Sequence, residues 1–212
     1  MYMEKIIYIS ILALGIFLTS LPLHAATTPP KASPPKIIPV YIEGGVGLFY
    51  PTSALFRQIY SVGPLYNIEL DVQPYKGLVV WTNVSVFPSS GYSVGRNNPT
   101  SIIMVPIGVG LKYLFPLLRK FRPYLGAGVV PTYFSIDNDN SPYVSKRNQG
   151  WGCGGVVKSG VLAYIGNRFF IDVFLNYNYI KTRLHNSPSP PVTTYPINAS
   201  NVTFGADLSY HF

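Results

Sequence analysis

The sequence predicts an all-β fold: an eight-stranded antiparallel up-and-down β-barrel that crosses a membrane, with short turns at one end and long loops at the other. Three observations predict it. Eight segments alternate apolar and polar residues with the period of a strand, their connections alternate long and short, and the charges within them fall on the polar face. Composition agrees. Charged residues make up only 11% of the chain, Tyr and Phe are abundant, and 20 Pro and 19 Gly spread along its length disfavour helices.

Taken in order, residues 1–25 read as a secretory signal peptide. Lys5 supplies the positive start, Ile6 to Leu21 the apolar run, and Leu23-His24-Ala25 a cleavage site before Ala26. The run is short for a membrane anchor, which needs about 20 apolar residues. Residues 26–39 hold Pro29-Pro30, Pro34-Pro35 and Pro39 and read as an extended periplasmic linker. Residues 40–212 form the barrel. Beyond the signal no apolar stretch is long enough for a spanning helix, so membrane residence requires a closed barrel that pairs its own backbone groups.

The expected strands run over 40–50, 64–73, 78–87, 102–115, 122–136, 151–165, 168–180 and 201–212. Long external loops then lie at 51–63, 88–101, 137–150 and 181–200. Short periplasmic turns lie at 74–77, 116–121 and at the hairpin dipeptide Gly166-Asn167.

Parity assigns the faces. In the last segment Val202, Phe204, Ala206, Leu208, Tyr210 and Phe212 share one side, and Asn201, Thr203, Gly205, Asp207, Ser209 and His211 the other. Tyr66, Ile68, Leu70 and Val72 oppose Asn67, Glu69, Asp71 and Gln73 in the second segment. Alternate residues from Phe169 to Tyr179 oppose Asp172, Asn176 and Asn178 in the seventh, with Phe174 an apolar intruder on the inner face. Glu43, Glu69, Asp71, Lys112, Lys158, Asp172, Asp207 and His211 all fall inward and form the expected polar network of the lumen. A lysine facing lipid at mid-bilayer would cost about 2–4 kcal/mol. Arg168 and Lys181 point outward at strand ends, within reach of headgroups. Tyr113, Phe115, Phe169, Tyr210 and Phe212 mark one membrane interface and Tyr50, Tyr133, Tyr177 and Tyr179 the other. Pro106 and Pro131 inside strands call for bulges, and Trp81 faces inward where neighbouring glycines must make room. A soluble lipocalin-like barrel would show the opposite parity, acids outside and apolar residues within.

Pro106-Ile107-Gly108-Val109-Gly110-Leu111-Lys112-Tyr113, followed by Arg122-Pro123-Tyr124-Leu125-Gly126-Ala127-Gly128, resembles consecutive strands of the opacity-protein-like and outer-membrane-protein-W-like barrels. The end, Leu208-Ser209-Tyr210-His211-Phe212, resembles their closing strand, whose alternate apolar residues and terminal aromatic are read by the barrel assembly machinery; Leu208, Tyr210 and Phe212 match that signal. The resemblance implies the outer membrane of a Gram-negative bacterium, with outer-membrane lipid and lipopolysaccharide as neighbours.

An eight-stranded barrel is just wide enough to be filled by its own side chains, which disfavours an open pore. The expected role is therefore structural or surface-interacting, host surfaces included, through the external loops and their basic residues Arg57, Arg96, Lys146, Arg147 and Arg183. The alternative is a narrow channel for small, mainly hydrophobic solutes, which the resemblance implies. A remote alternative is a lipid A-modifying enzyme, because His185-Asn186-Ser187 has a His-x-Ser spacing. No acid is evidently placed to orient that His, and no enzyme activity is expected. The net charge of +8 is scattered rather than clustered, which with export speaks against nucleic acid. No cofactor is expected, and three His with a lone Cys153 offer no metal-ligand cluster of the Cys/His kind.

Overall fold

The computed structural model describes residues 38–93, 98–116, 120–138, 147–166, 168–185 and 194–212, without the side chains at 183–185 and 194–196. The expected signal peptide, nearly all of the expected linker, Arg96, Lys146, Asn167, Asn186 and Ser187 lie outside the described residues.

Ten strands and one short helix follow in order: β1 Val40–Pro51, α1 Ala54–Ile59, β2 Gly63–Tyr75, β3 Leu78–Tyr92, β4 Pro99–Leu114, β5 Phe121–Val129, β6 Thr132–Asn138, β7 Arg147–Tyr164, β8 Phe169–His185, β9 Thr194–Asn198 and β10 Asn201–His211. Every pairing is antiparallel. The strands pair in an unbroken circuit, and β1 pairs with β10 from Tyr41↔His211 to Pro51↔Asn201, closing the ring. β5 and β6 are one stave interrupted at Val130-Pro131, since both pair with β4 on one side and β7 on the other. β9 and β10 are likewise one stave along β8, interrupted at Ala199-Ser200. The wall thus has eight staves, in up-and-down order.

The two prolines act where the period-2 pattern hides them. Pro106 has no N–H to give, and the β3/β4 ladder skips from Val84↔Ile107 to Phe87↔Met104 around it. Pro131 ends β5, yet its carbonyl still accepts the Ile107 N–H at 2.8 Å, and Val130 exchanges two backbone bonds with Gly154. The stave bends without opening.

The strands overrun the expected boundaries at the outer end. β3/β4, β6/β7 and β8/β9 continue as hairpins past the length a bilayer needs, about 9–11 residues. Where loops are expected at 51–63, 88–101, 137–150 and 181–200, strand reaches Pro51 and resumes at Gly63, and runs to Tyr92, Asn138 and His185 before resuming at Pro99, Arg147 and Thr194. Lys181 consequently lies within β8, paired with Cys153 and Asn198, rather than at a strand end. The first outer connection holds α1, whose six residues are too few to show a helical period in the sequence.

The outward face is a continuous apolar band. Ile42, Val46, Ile68, Val84, Val109, Leu111, Leu125, Val157, Val173, Phe204 and Leu208 are all exposed on it. A band of this extent is solvated by hydrocarbon rather than water. At its lower edge Phe169, Tyr210 and Phe212 meet edge to face, with centroids 5.2 and 5.0 Å apart, and Tyr113 meets Phe115 at 5.2 Å. At its upper edge Tyr50, Tyr177 and Tyr179 are exposed, and Tyr133 tilts against Trp151.

Candidate functional site

The interior is layered. Its outer third is apolar: Phe49, Leu65, Phe87, Ile102, Met104, Phe134 and Ile180 point inward from successive staves and pack as one cluster. The Phe49 and Phe87 rings stack at 4.0 Å. α1 closes over them, bringing Phe56 to 6.3 Å from Phe49 and Tyr60 into the same cluster. Tyr60 is fixed by its hydroxyl against Thr100 Oγ1 at 3.1 Å, and burial raises its phenol pKa above the ordinary value. A second apolar layer, with Tyr41, Val79, Leu114, Tyr124, Leu162 and Phe170, closes the periplasmic end.

Between the layers lies the polar centre. Period 2 places Glu43 on β1, Glu69 and Asp71 on β2, Asp172 on β8 and Asp207 on β10, all buried, along one wall of four adjacent staves. Lys112 on β4 and Lys158 on β7 reach in from the other side. Lys112 Nζ lies 3.0 Å from Glu69 Oε1 and 3.6 Å from Glu43 Oε1 and also pairs with Asp71. Lys158 pairs with Glu69 Oε2. Each ammonium also lies over a ring, Lys112 at 4.9 Å from the Tyr124 centroid and Lys158 at 4.4 Å from that of Trp81. The Tyr124 hydroxyl donates to Asp172 Oδ2 at 2.8 Å, and Asn67 Nδ2 to Asp207 Oδ2 at 2.7 Å. Asn67 Oδ1 in turn accepts from Ser85 at 3.1 Å.

Seven of the eight expected lumen residues therefore come together. His211 does not join them; it stacks on Tyr41 at 4.7 Å at the periplasmic rim, four positions along β10 from Asp207. Three residues of the centre lie outside the expected network: Trp81 and Asn67, whose inward face the sequence does give, and Tyr124. Trp81 fits because Gly108, Gly110 and Gly128 line its ring. A Cβ at any of them would come within 2.6–2.7 Å of it. Phe174 fills the space left by Gly47 and Gly205 in the same way.

Little space remains. A cavity of about 30 Å³ between the apolar outer layer and the charged centre is lined by Asn67, Asn83, Asn176, Asn178, Asn201 and Lys158, among others. It has room for a water or two, far less than the roughly 300 Å³ of a small-molecule pocket.

The three expected basic residues of the loops that are described sit on regular elements instead. Arg57 is on α1, donating to the Tyr50 hydroxyl at 2.9 Å, and Arg147 opens β7, 3.5 Å from Asp137. Arg183 is in β8. Of the His-x-Ser motif only the backbone of His185, the last residue of β8, is described.

No protein-family model and no curated protein sequence matches the chain. Solved structures do. The outer membrane protein OprG from Pseudomonas aeruginosa matches with a TM-score of 0.66 at 16% identity, over 84% of this chain and 97% of its own. Neisserial surface protein A matches at 0.61 and 19% identity, and outer membrane protein W of E. coli at 0.57 and 18%, each over 82% of this chain and 97% of its own. The fold is that of the small outer-membrane β-barrels.

Proposed function

We propose that the chain is a closed barrel of a Gram-negative outer membrane whose role is structural or surface-interacting, performed by its ends rather than by its lumen. The observation that carries this reading is the layered filling: two apolar layers enclose a charged centre, and the described interior leaves room only for water. A permeating solute would have to displace paired buried charges, and breaking such a pair costs about 3–5 kcal/mol. The three outer hairpins rise past the membrane band and present a surface to the exterior, with Leu55, Tyr92 and Trp151 exposed near it. Five of the chain's eight acidic residues are hidden in the lumen, so its accessible charge is more basic than the net +8 implies. That excess suits contact with phosphorylated lipopolysaccharide.

A second reading, a narrow path for small hydrophobic solutes, has one observation on its side. The unpaired step of the β3/β4 ladder at Ser85-Val86 and Pro106 weakens the wall beside the small cavity.

The test is reconstitution. The folded chain, identified by a heat-dependent mobility shift after recovery from the outer membrane, is placed in planar bilayers and in liposomes. Absence of steady conductance, together with uptake of an apolar dye no faster than in empty liposomes, is expected. Stepwise conductance overturns the closed barrel, and faster dye uptake alone selects the second reading.

A further inference from the structure

Among the described residues the lumen holds two overlapping acidic triads, and in the second of them two of the three acids have no side-chain cation. In the first, Glu43, Glu69 and Asp71 surround the Lys112 ammonium, with Lys158 on Glu69. In the second, Glu43, Asp172 and Asp207 each offer a carboxylate oxygen, and the three oxygens lie within 4.8 Å of one another. Asp172 and Asp207 form no ion pair among the described residues, although they stand directly opposite each other across the β8/β10 ladder. Like charges in that position repel. Both are almost fully buried, at 2% and 3% exposure.

The triad is also oriented. Tyr124 holds Asp172 by Oδ2 and Asn67 holds Asp207 by Oδ2, which leaves Oδ1 of each, and both oxygens of Glu43, without a hydrogen bond among the described residues. An independent observation comes from Ser209. It faces Glu43 directly across the β1/β10 ladder on the inner face, is 1% exposed, and its hydroxyl has no hydrogen-bond partner among the described residues. A buried hydroxyl without a partner costs about 1–3 kcal/mol. It is the neutral oxygen that a cation among these carboxylates would use.

We propose that Glu43, Asp172, Asp207 and Ser209 form a site for a hard divalent cation inside the barrel, with calcium the best-fitting ion. All four donors are oxygen. Calcium takes about six to eight oxygens in flexible geometry, whereas magnesium demands a near-ideal octahedron, so ligands fixed on three rigid strands suit the larger ion. Five carboxylates facing two ammonium groups in one low-dielectric interior leave an excess that a divalent ion offsets. Tyr124 and Asn67 then act as outer-shell partners that aim the ligating oxygens. The His and Cys content of the sequence gives no hint of this site, because its ligands are oxygens from three strands far apart in sequence.

The experiment uses the full chain refolded in detergent micelles free of lipopolysaccharide, with folding checked by the heat-dependent mobility shift. After treatment with EDTA, calcium chloride is titrated calorimetrically and the unfolding midpoint is followed with and without calcium. One calcium per chain and a higher midpoint with calcium are expected. Asp207→Asn, nearly isosteric, should weaken binding at least tenfold, and Ser209→Ala several-fold, while Asp137→Asn at the exposed pair with Arg147 changes nothing. If Asp207→Asn does not fold, Ser209→Ala carries the test alone. The proposal fails if the folded wild type binds no calcium up to millimolar concentration. It fails equally if Ser209→Ala and every folded lumen variant bind as the wild type does. A wild type indifferent to calcium but stabilised by acid would show that the triad holds a proton instead.

Discussion

Lys112 on β4 reaches across the barrel to Glu69 on β2, Nζ to Oε1 at 3.0 Å, and with both groups fully buried this pair ties together staves that are not neighbours in the wall. Its removal is severe because Asp71 and Glu43 share the same ammonium. Lys112→Met should cost about 3–5 kcal/mol, the consequence of leaving buried carboxylates unpaired. Urea titration of the heat-dependent mobility shift measures it. Adding Glu69→Gln and Asp71→Asn to the same chain should recover part of the loss, since the acids then no longer need a counter-charge.

The Trp81 ring sits over Gly108, whose added Cβ would meet Trp81 Cζ3 at 2.7 Å and the Asn83 amide oxygen, side chains only. Gly108→Ala should therefore destabilise by about 1–3 kcal/mol through overpacking. Combined with Trp81→Leu, which vacates that space, the double variant should lose at least about 0.5 kcal/mol less than the two single losses added together. Strict additivity in the same urea titration would show that the glycine serves the backbone and not the ring.

These two relationships also mark how far the sequence could be read. Period 2 assigns a face to Glu69, Lys112 and Trp81 without any tertiary information, because successive strand residues must point to opposite sides. It gives a list of inward groups but no pairing. That Lys112 meets Glu69 while Asp172 meets Tyr124 depends on the stagger of the staves, which closes only when β1 registers with β10. His211 shows the cost: its parity is inward, yet its height along β10 sets it against Tyr41 and away from the acids. The outer ends were obscured for another reason. Above the membrane neither face is held to a strict apolar or polar pattern, so Ser89, Ser90 and Asn148 read as loop although the backbone pairing continues through them. α1 is one turn and a half, below the length at which a helical period emerges.

Val173 tests the outward band. It is exposed on β8 midway between Phe169 and Tyr177, paired with Val161 and Ala206. Val173→Lys should cost about 2–4 kcal/mol in lipid vesicles, and Tyr179→Lys, near the interface, no more than about 1 kcal/mol. Equal losses at the two depths would mean that the band does not sit across the hydrocarbon.

Phe212 separates assembly from stability. It follows β10 and is 70% exposed; its N–H donates to the Val40 carbonyl at 3.1 Å and its ring meets Tyr210 edge to face. The backbone bond survives truncation of the side chain, and an exposed ring contributes little burial, so Phe212→Ala should change the urea midpoint of the refolded barrel by less than about 1 kcal/mol. If the terminal aromatic is read during insertion, the same variant should accumulate several-fold less folded barrel in the outer membrane of a Gram-negative host, scored as the heat-shifted band. A normal yield with lowered stability would assign Phe212 to packing at the interface and remove it from the assembly signal, leaving Leu208 and Tyr210 to be tested in its place.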